Sequence, residues 1–154
     1  MRLTRFSDLG LRVLIYLNGA GQRPGPVTVA EICAQFDLPM NHLVKVVGRL
    51  ARLGWVQATR GRNGGLRLAA NPAELRVGTV LRALEGDDEL ADCTGTRCSL
   101  SSDCRLRGAL AAGLDAFYDA MDRHTLADIA GGATGEQIVR MHRTFLGAGE
   151  SLPA

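Results

Sequence analysis

Apolar residues in the first eighteen positions fall at Leu3, Phe6, Leu9, Val13, Leu14 and Leu17, with Gly10 in the same stripe. Intervals of three and four predict an amphipathic helix over 3–18. GQRPGP at 21–26 breaks it. Thr28-Val-Ala-Glu31 then reads as a capping box, the Thr28 hydroxyl and the Glu31 carboxylate each satisfying the other's free backbone N–H. It opens a short helix through Phe36 that stops at Asp37-Leu38-Pro39.

A second helix is predicted from Met40 to Leu53. Leu43, Val44, Val46, Val47, Leu50 and Leu53 fill one arc; Asn41, His42, Lys45, Arg49 and Arg52, with Gly48, fill the other. Solvated helix faces normally mix acids with bases, and this polar face holds no acid. Residues 55–59 and 66–68 form two short strands around the turn RGRNGG, which predicts a β-hairpin with Arg60 and Arg62 at its tip. Helix, turn, helix and basic hairpin is the order of a winged helix-turn-helix.

Further on, RVGTVLRALEG (76–86) predicts a short helix, and apolar periodicity is lost from Asp87 to Asp103. It returns at Leu106, Leu110, Leu114, Phe117 and Met121, one sustained seam on a long helix. Helix-turn-helix modules work in pairs on two-fold sites, so this seam is expected to form a dimer. From Gly131 the pattern is weak, and residues 146–154 are expected to fray. The fold class is therefore mainly α. Residues 1–70 form a winged helix-turn-helix domain, 71–130 a cysteine loop with a dimerisation helix, and 131–154 a C-terminal segment.

Charge divides along the same line. Residues 1–70 carry ten Lys/Arg against three Asp/Glu, a balance of +7, whereas residues 71–154 carry eight against thirteen, a balance of −5. A basic front half points to a polyanion. A membrane surface would call for one long basic amphipathic helix, which is missing, so the polyanion is read as DNA. Asn41, His42, Lys45 and Arg49 are candidate major-groove readers, since Asn pairs with adenine and Arg or Lys with guanine or phosphate. Arg60, Arg62 and Asn63 on the wing and Thr28 at the first turn-helix complete the expected contact set. No Gly-Lys-Ser/Thr follows the glycines of the turn, so they are not a nucleotide-binding loop. The chain has no run of about 18 apolar residues to span a bilayer. Arg5, Asp8 and Arg12 interrupt the apolar N-terminus, which is read as a mature cytosolic end rather than a leader.

Three of the four cysteines, Cys93, Cys98 and Cys104, lie within twelve positions. In a reducing compartment such a group points to a metal or redox role rather than to disulfides. The spacing C-x4-C-x5-C differs from the close pairs of structural zinc, and the next histidine, His124, is twenty residues beyond Cys104. A wide loop of three thiolates suits a larger group, an iron–sulfur cluster. Arg97, Arg105 and Arg107 would offset its charge. Cys33, on the apolar side of the first turn-helix, reads as a small core residue. His124 and His142 show no evident partner, and no catalytic constellation occurs, so the chain is not read as an enzyme. An iron–sulfur electron carrier is the competing class, but a recognition helix and wing would serve it no purpose.

TRFSDLGLR, NHLVKVVGRL, RGRNGGLRL and CTGTRCSLSSDCRLR, in this order between Met1 and about Ile129, resemble the NsrR branch of a bacterial winged-helix regulator family that also includes the iron–sulfur regulator IscR. The resemblance implies a homodimeric repressor on a palindromic operator. Its cluster, [4Fe–4S] with [2Fe–2S] as the alternative, would sense nitric oxide and release nitrosative-stress genes. IscR-like sensors carry a histidine three positions after the third cysteine, where this chain has Arg107. A sensor of iron–sulfur supply or redox state is therefore the second reading. In the NsrR branch an aspartate near the N-terminus, given by the other subunit, is the fourth ligand; the matching residue is Asp8. On the first helix Asp8 lies off the main stripe, in line with Leu11 and Ile15, a second, partly apolar face suited to a partner.

Overall fold

The computed structural model describes residues 2–21, 23–62, 64–86, 90, 98 and 104–150. Helix α1 (Arg5–Gly19) starts at Thr4, whose hydroxyl accepts from the Ser7 backbone N–H at 3.2 Å. Its buried residues, Ser7, Leu9, Gly10, Val13, Leu14, Tyr16 and Leu17, follow the predicted stripe from Leu9 onward with Ser7 and Tyr16 added, whereas Leu3 precedes the helix and is exposed. Helices α2 (Val29–Phe36) and α3 (Met40–Arg52) form the helix-turn-helix. Asp37 turns the chain between them at φ 51°, a left-handed conformation that Asp tolerates better than most residues.

Strands β1 (Val56–Thr59) and β2 (Gly65–Leu68) pair antiparallel, Val56 opposite Leu68 and Thr59 opposite Gly65. Leu66 turns inward, and its backbone also bridges Val27, which anchors the hairpin beside the start of α2. Helices α4 (Val77–Glu85), α5 (Arg105–Met121), α6 (Leu126–Ile129) and α7 (Gly132–Glu150) follow. Packed around α1 are α3, α4, α6, α7 and β2. One core therefore joins Leu14, Ile32, Leu43 and Leu50 with Leu75, Val80, Leu84, Leu126 and Ile138. Among the described residues no helix is long and apolar enough to cross a membrane.

The α5 seam is divided. Its C-terminal part, Leu114, Phe117 and Met121, packs with Val77, Leu81, Tyr118 and Leu11. Close approach there depends on Gly78, where a Cβ would stand 2.3 Å from the Tyr118 carbonyl oxygen. Arg82 adds ion pairs to Asp115 and Asp119 at 3.3 and 2.9 Å and lies over the Tyr118 ring. Toward the other end of α5, Leu110 is half-buried and Leu106 is 65% exposed. The seam serves this chain's own core at one end and faces outward at the other.

The C-terminal segment departs from expectation. Helix α7 runs past position 146, where fraying was expected, and ends at Glu150; residues 151–154 lie outside the described residues. Ile138 and His142 are buried and Met141 packs on the core, a helical stripe concealed by its histidine. His142 is thus a core residue with partners, where the sequence showed none.

Those partners surround Glu31. Half of the predicted capping box forms, with Thr28 Oγ1 accepting from the Glu31 backbone N–H at 3.1 Å. The Glu31 carboxylate instead turns inward, where Arg23 holds both its oxygens, Nη2 to Oε2 at 2.9 Å, and the Tyr16 hydroxyl donates to Oε1 at 2.7 Å. His142 Nε2 lies 3.0 Å from the Tyr16 carbonyl oxygen, and its Nδ1 is 2.8 Å from Arg23 Nη1. A carbonyl only accepts and a guanidinium only donates, so the ring is neutral with its proton on Nε2. Glu31 Oε1 and His142 Nδ1, 3.5 Å apart, are therefore two acceptors sharing one arginine rather than an ion pair.

Burial, and less strongly the Arg23 charge, hold the His142 pKa below its ordinary value against the opposing pull of its bond to Tyr16. Burial raises the Glu31 pKa, but bonds from Arg23 and Tyr16 outweigh it and leave the net shift downward. Both folded-state values are depressed, so both groups stabilise the fold above their unfolded pKa and lose that contribution as pH falls. For His142 the loss begins near its unfolded value of about 6.5 and can reach about 1.4 kcal/mol per pH unit. Urea unfolding is expected to show stability falling from pH 7 to 5.5. His142→Gln, which keeps a donor and an acceptor but does not titrate, should flatten that slope; an unchanged slope would assign the pH dependence elsewhere.

Candidate DNA-binding face and cysteine loop

Helix α3 buries Leu43, Val46, Val47 and Leu50 and presents Asn41, His42, Lys45 and Arg52 to solvent. Its first turn holds no acidic residue. Val44, assigned to the core arc by the sequence pattern, is 53% exposed beside Lys45. It lies at the boundary of the two arcs, where hydropathy alone places it inside. The sequence reading missed its place on the solvent face, since an apolar residue at the edge of the arc carries no local sign of exposure.

Arg49 differs from its neighbours. It is half-buried, and its Nη2 donates to the Ala83 carbonyl oxygen at 3.1 Å. Ala83 lies in the last turn of α4, where carbonyls lack an intrahelical donor and a cation complements the helix dipole. Arg49 therefore fastens the polar edge of α3 to α4.

Arg60 and Arg62 are exposed at the tip of the hairpin; Asn63 lies outside the described residues. Arg67, opposite Gln57 on the exposed side of the hairpin, extends this basic surface, and it was absent from the sequence-based set. Thr28 is exposed at the N-terminus of α2, its hydroxyl engaged in capping.

Cys93 lies outside the described residues. Cys98 and Cys104 are half-buried free thiols. Cys104 is the N-cap of α5, but its sulfur makes no capping hydrogen bond, and the first turn holds no acid. Free backbone N–H groups at a helix start favour a negative charge. Soft sulfur donors in such a field suit an anionic thiolate-bound cluster. Among the described residues no three His, Cys, Asp or Glu side chains gather at metal-binding distance. Asp8 pairs with Arg12 Nε at 3.0 Å, both side chains nearly half exposed. Such a surface pair is worth only about 0–1 kcal/mol, so Asp8 is readily released to another partner. Leu11, in line with Asp8, packs inside this chain. Cys33 packs on the core with its sulfur 3.9 Å from Met40 Sδ, and burial pushes its thiol pKa up, which marks an inert thiol.

A cationic helix and wing carried on a helical body define a winged-helix DNA-binding protein. A family model described as "Rrf2: Iron-dependent Transcriptional regulator" matches residues 3–132. The chain belongs to the Rrf2 family, and it is a transcriptional regulator rather than an enzyme. It is 42% identical over 132 residues to the HTH-type transcriptional regulator NsrR of Geobacillus kaustophilus, covering 84% of this chain and 89% of that one. With the HTH-type transcriptional repressor NsrR of Streptomyces coelicolor it shares 41% over 136 residues, covering 88% and 92%. The solved structure of CymR, the global cysteine regulator of B. subtilis, superposes with a TM-score of 0.65 at 25% identity, covering 84% of this chain and 96% of that one.

Arg49 and Lys45 share a helix face but not an environment, and their removal should differ accordingly. Arg49→Ala is expected to cost about 1–2 kcal/mol of folding stability through the lost bond to Ala83. Lys45→Ala should stay within about 0.5 kcal/mol of the parent. Urea midpoints of the two variants check this, and equal losses would detach Arg49 from α4.

Proposed function

We propose that this regulator is a homodimeric repressor of palindromic operators that senses nitric oxide through an iron–sulfur cluster. The observation that carries the reading is the pairing, in one chain 41% identical to a repressor NsrR, of an acid-free α3 face with two free thiols, Cys98 and, at the N-cap of α5, Cys104. As a DNA-binding protein it would work in the cytoplasm.

Asn41, His42 and Lys45 are exposed on one face of α3 and would read base edges, Asn41 on adenine and Lys45 on guanine. The exposed methyls of Val44 suit a thymine methyl. Arg60, Arg62 and Asn63 would bring the wing to phosphates or the minor groove. Thr28 would place the α2 N-terminus near a phosphate, and the free donors of Arg49 another. The outward part of α5, beginning with Leu106, is the surface proposed to meet a second copy.

Cys93, Cys98 and Cys104, with Asp8 contributed across the dimer, would hold the cluster, proposed as [4Fe–4S]. When bound, the cluster supplies iron as the target of nitric oxide. A carboxylate is a poorer match than thiolate to a soft site, so Asp8 would be its weakest ligand. Releasing Asp8 from Arg12 gives up only an exposed ion pair. Arg107, in place of an IscR-like histidine, leaves the second reading without a ligand at that position.

Two sets of variants test this reading. Anaerobically purified protein is expected to contain iron and sulfide, and nitric oxide should lower its affinity for operator; unchanged affinity would remove the sensor. Serine at Cys93, Cys98 or Cys104 should abolish the visible absorption, which Cys33→Ala should keep. On DNA, Asn41→Ala or Lys45→Ala should cost about 1–3 kcal/mol and relax specificity at single positions. Arg60→Ala or Arg62→Ala should weaken all sequences alike and flatten the salt dependence. Gel shifts on operator and scrambled DNA at two salt concentrations separate the sets.

A further inference from the structure

Three consecutive residues at the end of α4 each make a different contact with the helices around the DNA-binding face. The Ala83 carbonyl oxygen accepts from Arg49 on α3 at 3.1 Å. Leu84 is buried against α1 at Gly10, where a Cβ would stand 2.4 Å from Leu84 Cδ1. Glu85 Oε1 accepts from both the backbone N–H and the hydroxyl of Thr4, at 2.8 and 3.1 Å. Thr4 is the N-cap of α1, where a carboxylate also complements the helix dipole. The chain turns at Gly86, φ 79°, and Cys93 follows seven positions later.

We propose that this last turn of α4, Ala83 to Glu85, is the mechanical link through which the state of the cysteine loop reaches the recognition helix, with Glu85 as a positioning residue. The proposal rests on the sensor reading above. Leu84 fills the space over Gly10, so the end of α4 cannot move closer to α1 without displacing one of the two. A displacement of about 1 Å would stretch the bonds from Thr4 and Arg49 beyond hydrogen-bonding reach. Ångström-scale changes at the root of the loop would therefore alter how α1 and α3 are held. Glu85 touches neither the proposed base readers nor the proposed cluster ligands.

The test compares wild type, Glu85→Ala, Glu85→Gln and Glu85→Asp, each cluster-loaded and cluster-free, anaerobically on one operator at one salt concentration. Wild type is expected to show a loaded-to-free affinity ratio on the order of 5–150, the usual span of allosteric coupling. Glu85→Gln keeps the acceptor oxygen and should keep the ratio. Glu85→Ala should keep the visible absorption and the dimer while its ratio falls to about one. Glu85→Asp retains the charge but falls a methylene short, and it should show the same collapse if the alanine variant does not fold. Hydrogen exchange of the α3 backbone amides gives a readout independent of DNA. Cluster removal should change it in wild type and Glu85→Gln but not in the broken variants. A wild-type ratio and exchange response in Glu85→Ala or Glu85→Asp would overturn the link alone. A wild type whose affinity ignores the cluster would overturn the sensor reading and the link with it.

Discussion

Glu31 is 1% exposed in the first helix of the helix-turn-helix, and an ionised carboxylate so placed costs several kcal/mol unless it is paired and hydrogen-bonded. Its surroundings meet that demand from several directions. Arg23 comes from the turn after α1, the Tyr16 hydroxyl from α1 itself, and α7 brings His142 to orient the arginine. Tyr16 also packs edge-on to Phe36 and against the His142 ring, with centroids 5.7 and 4.0 Å away. The angle at which α2 lies on α1 is thus set by a charge as well as by apolar packing. Since α3 packs on both α1 and α2, the pose of the recognition helix inherits that geometry.

Much of this architecture was legible in the sequence, because apolar periodicity is a local signal. The stripe of α1, the two faces of α3 and the alternation of the hairpin each declare their element within a dozen residues. What escaped were features that need a partner distant in the chain. Glu31 looked like half of a capping box because Thr28 is its only visible neighbour in sequence; in the folded chain its carboxylate is taken instead by Arg23 and the Tyr16 hydroxyl. His142 hid a core stripe for the same reason, being polar by type and buried by context. Arg49 looked identical to Lys45 by helical phase, and only the docking of α4 distinguishes them. The cysteine spacing, by contrast, is a local signal displayed by the sequence itself, whereas Asp8 entered the proposed ligand set only through a family resemblance.

Charge in the two halves has separate uses. Front-half cations stay largely in solvent on α3 and the wing, where they remain available to a polyanion. Several acids of the back half find donors within it: Asp115 and Asp119 pair with Arg82, and Asp122 accepts from the Thr79 backbone N–H at 2.7 Å. The opposite charges of the two halves therefore need not collapse onto each other.

His142 lies beyond residue 132, where the match to the family model ends, yet it reaches back to the turn and helix that open the DNA-binding face. Protein synthesis proceeds from the N-terminus, so every residue of that face leaves the ribosome before the helix that closes the core behind it. A nascent or prematurely terminated chain holds Arg23 and Glu31 without their histidine and leaves α1 uncovered along Gly19 and Tyr16. Such a fragment carries the exposed cations of α3 and the wing without the α7 contacts behind Tyr16 and Arg23. Because α7 lies at the end of the described chain, the core behind Tyr16 and Arg23 is closed last, after the DNA-binding face and the cysteine loop have both been made.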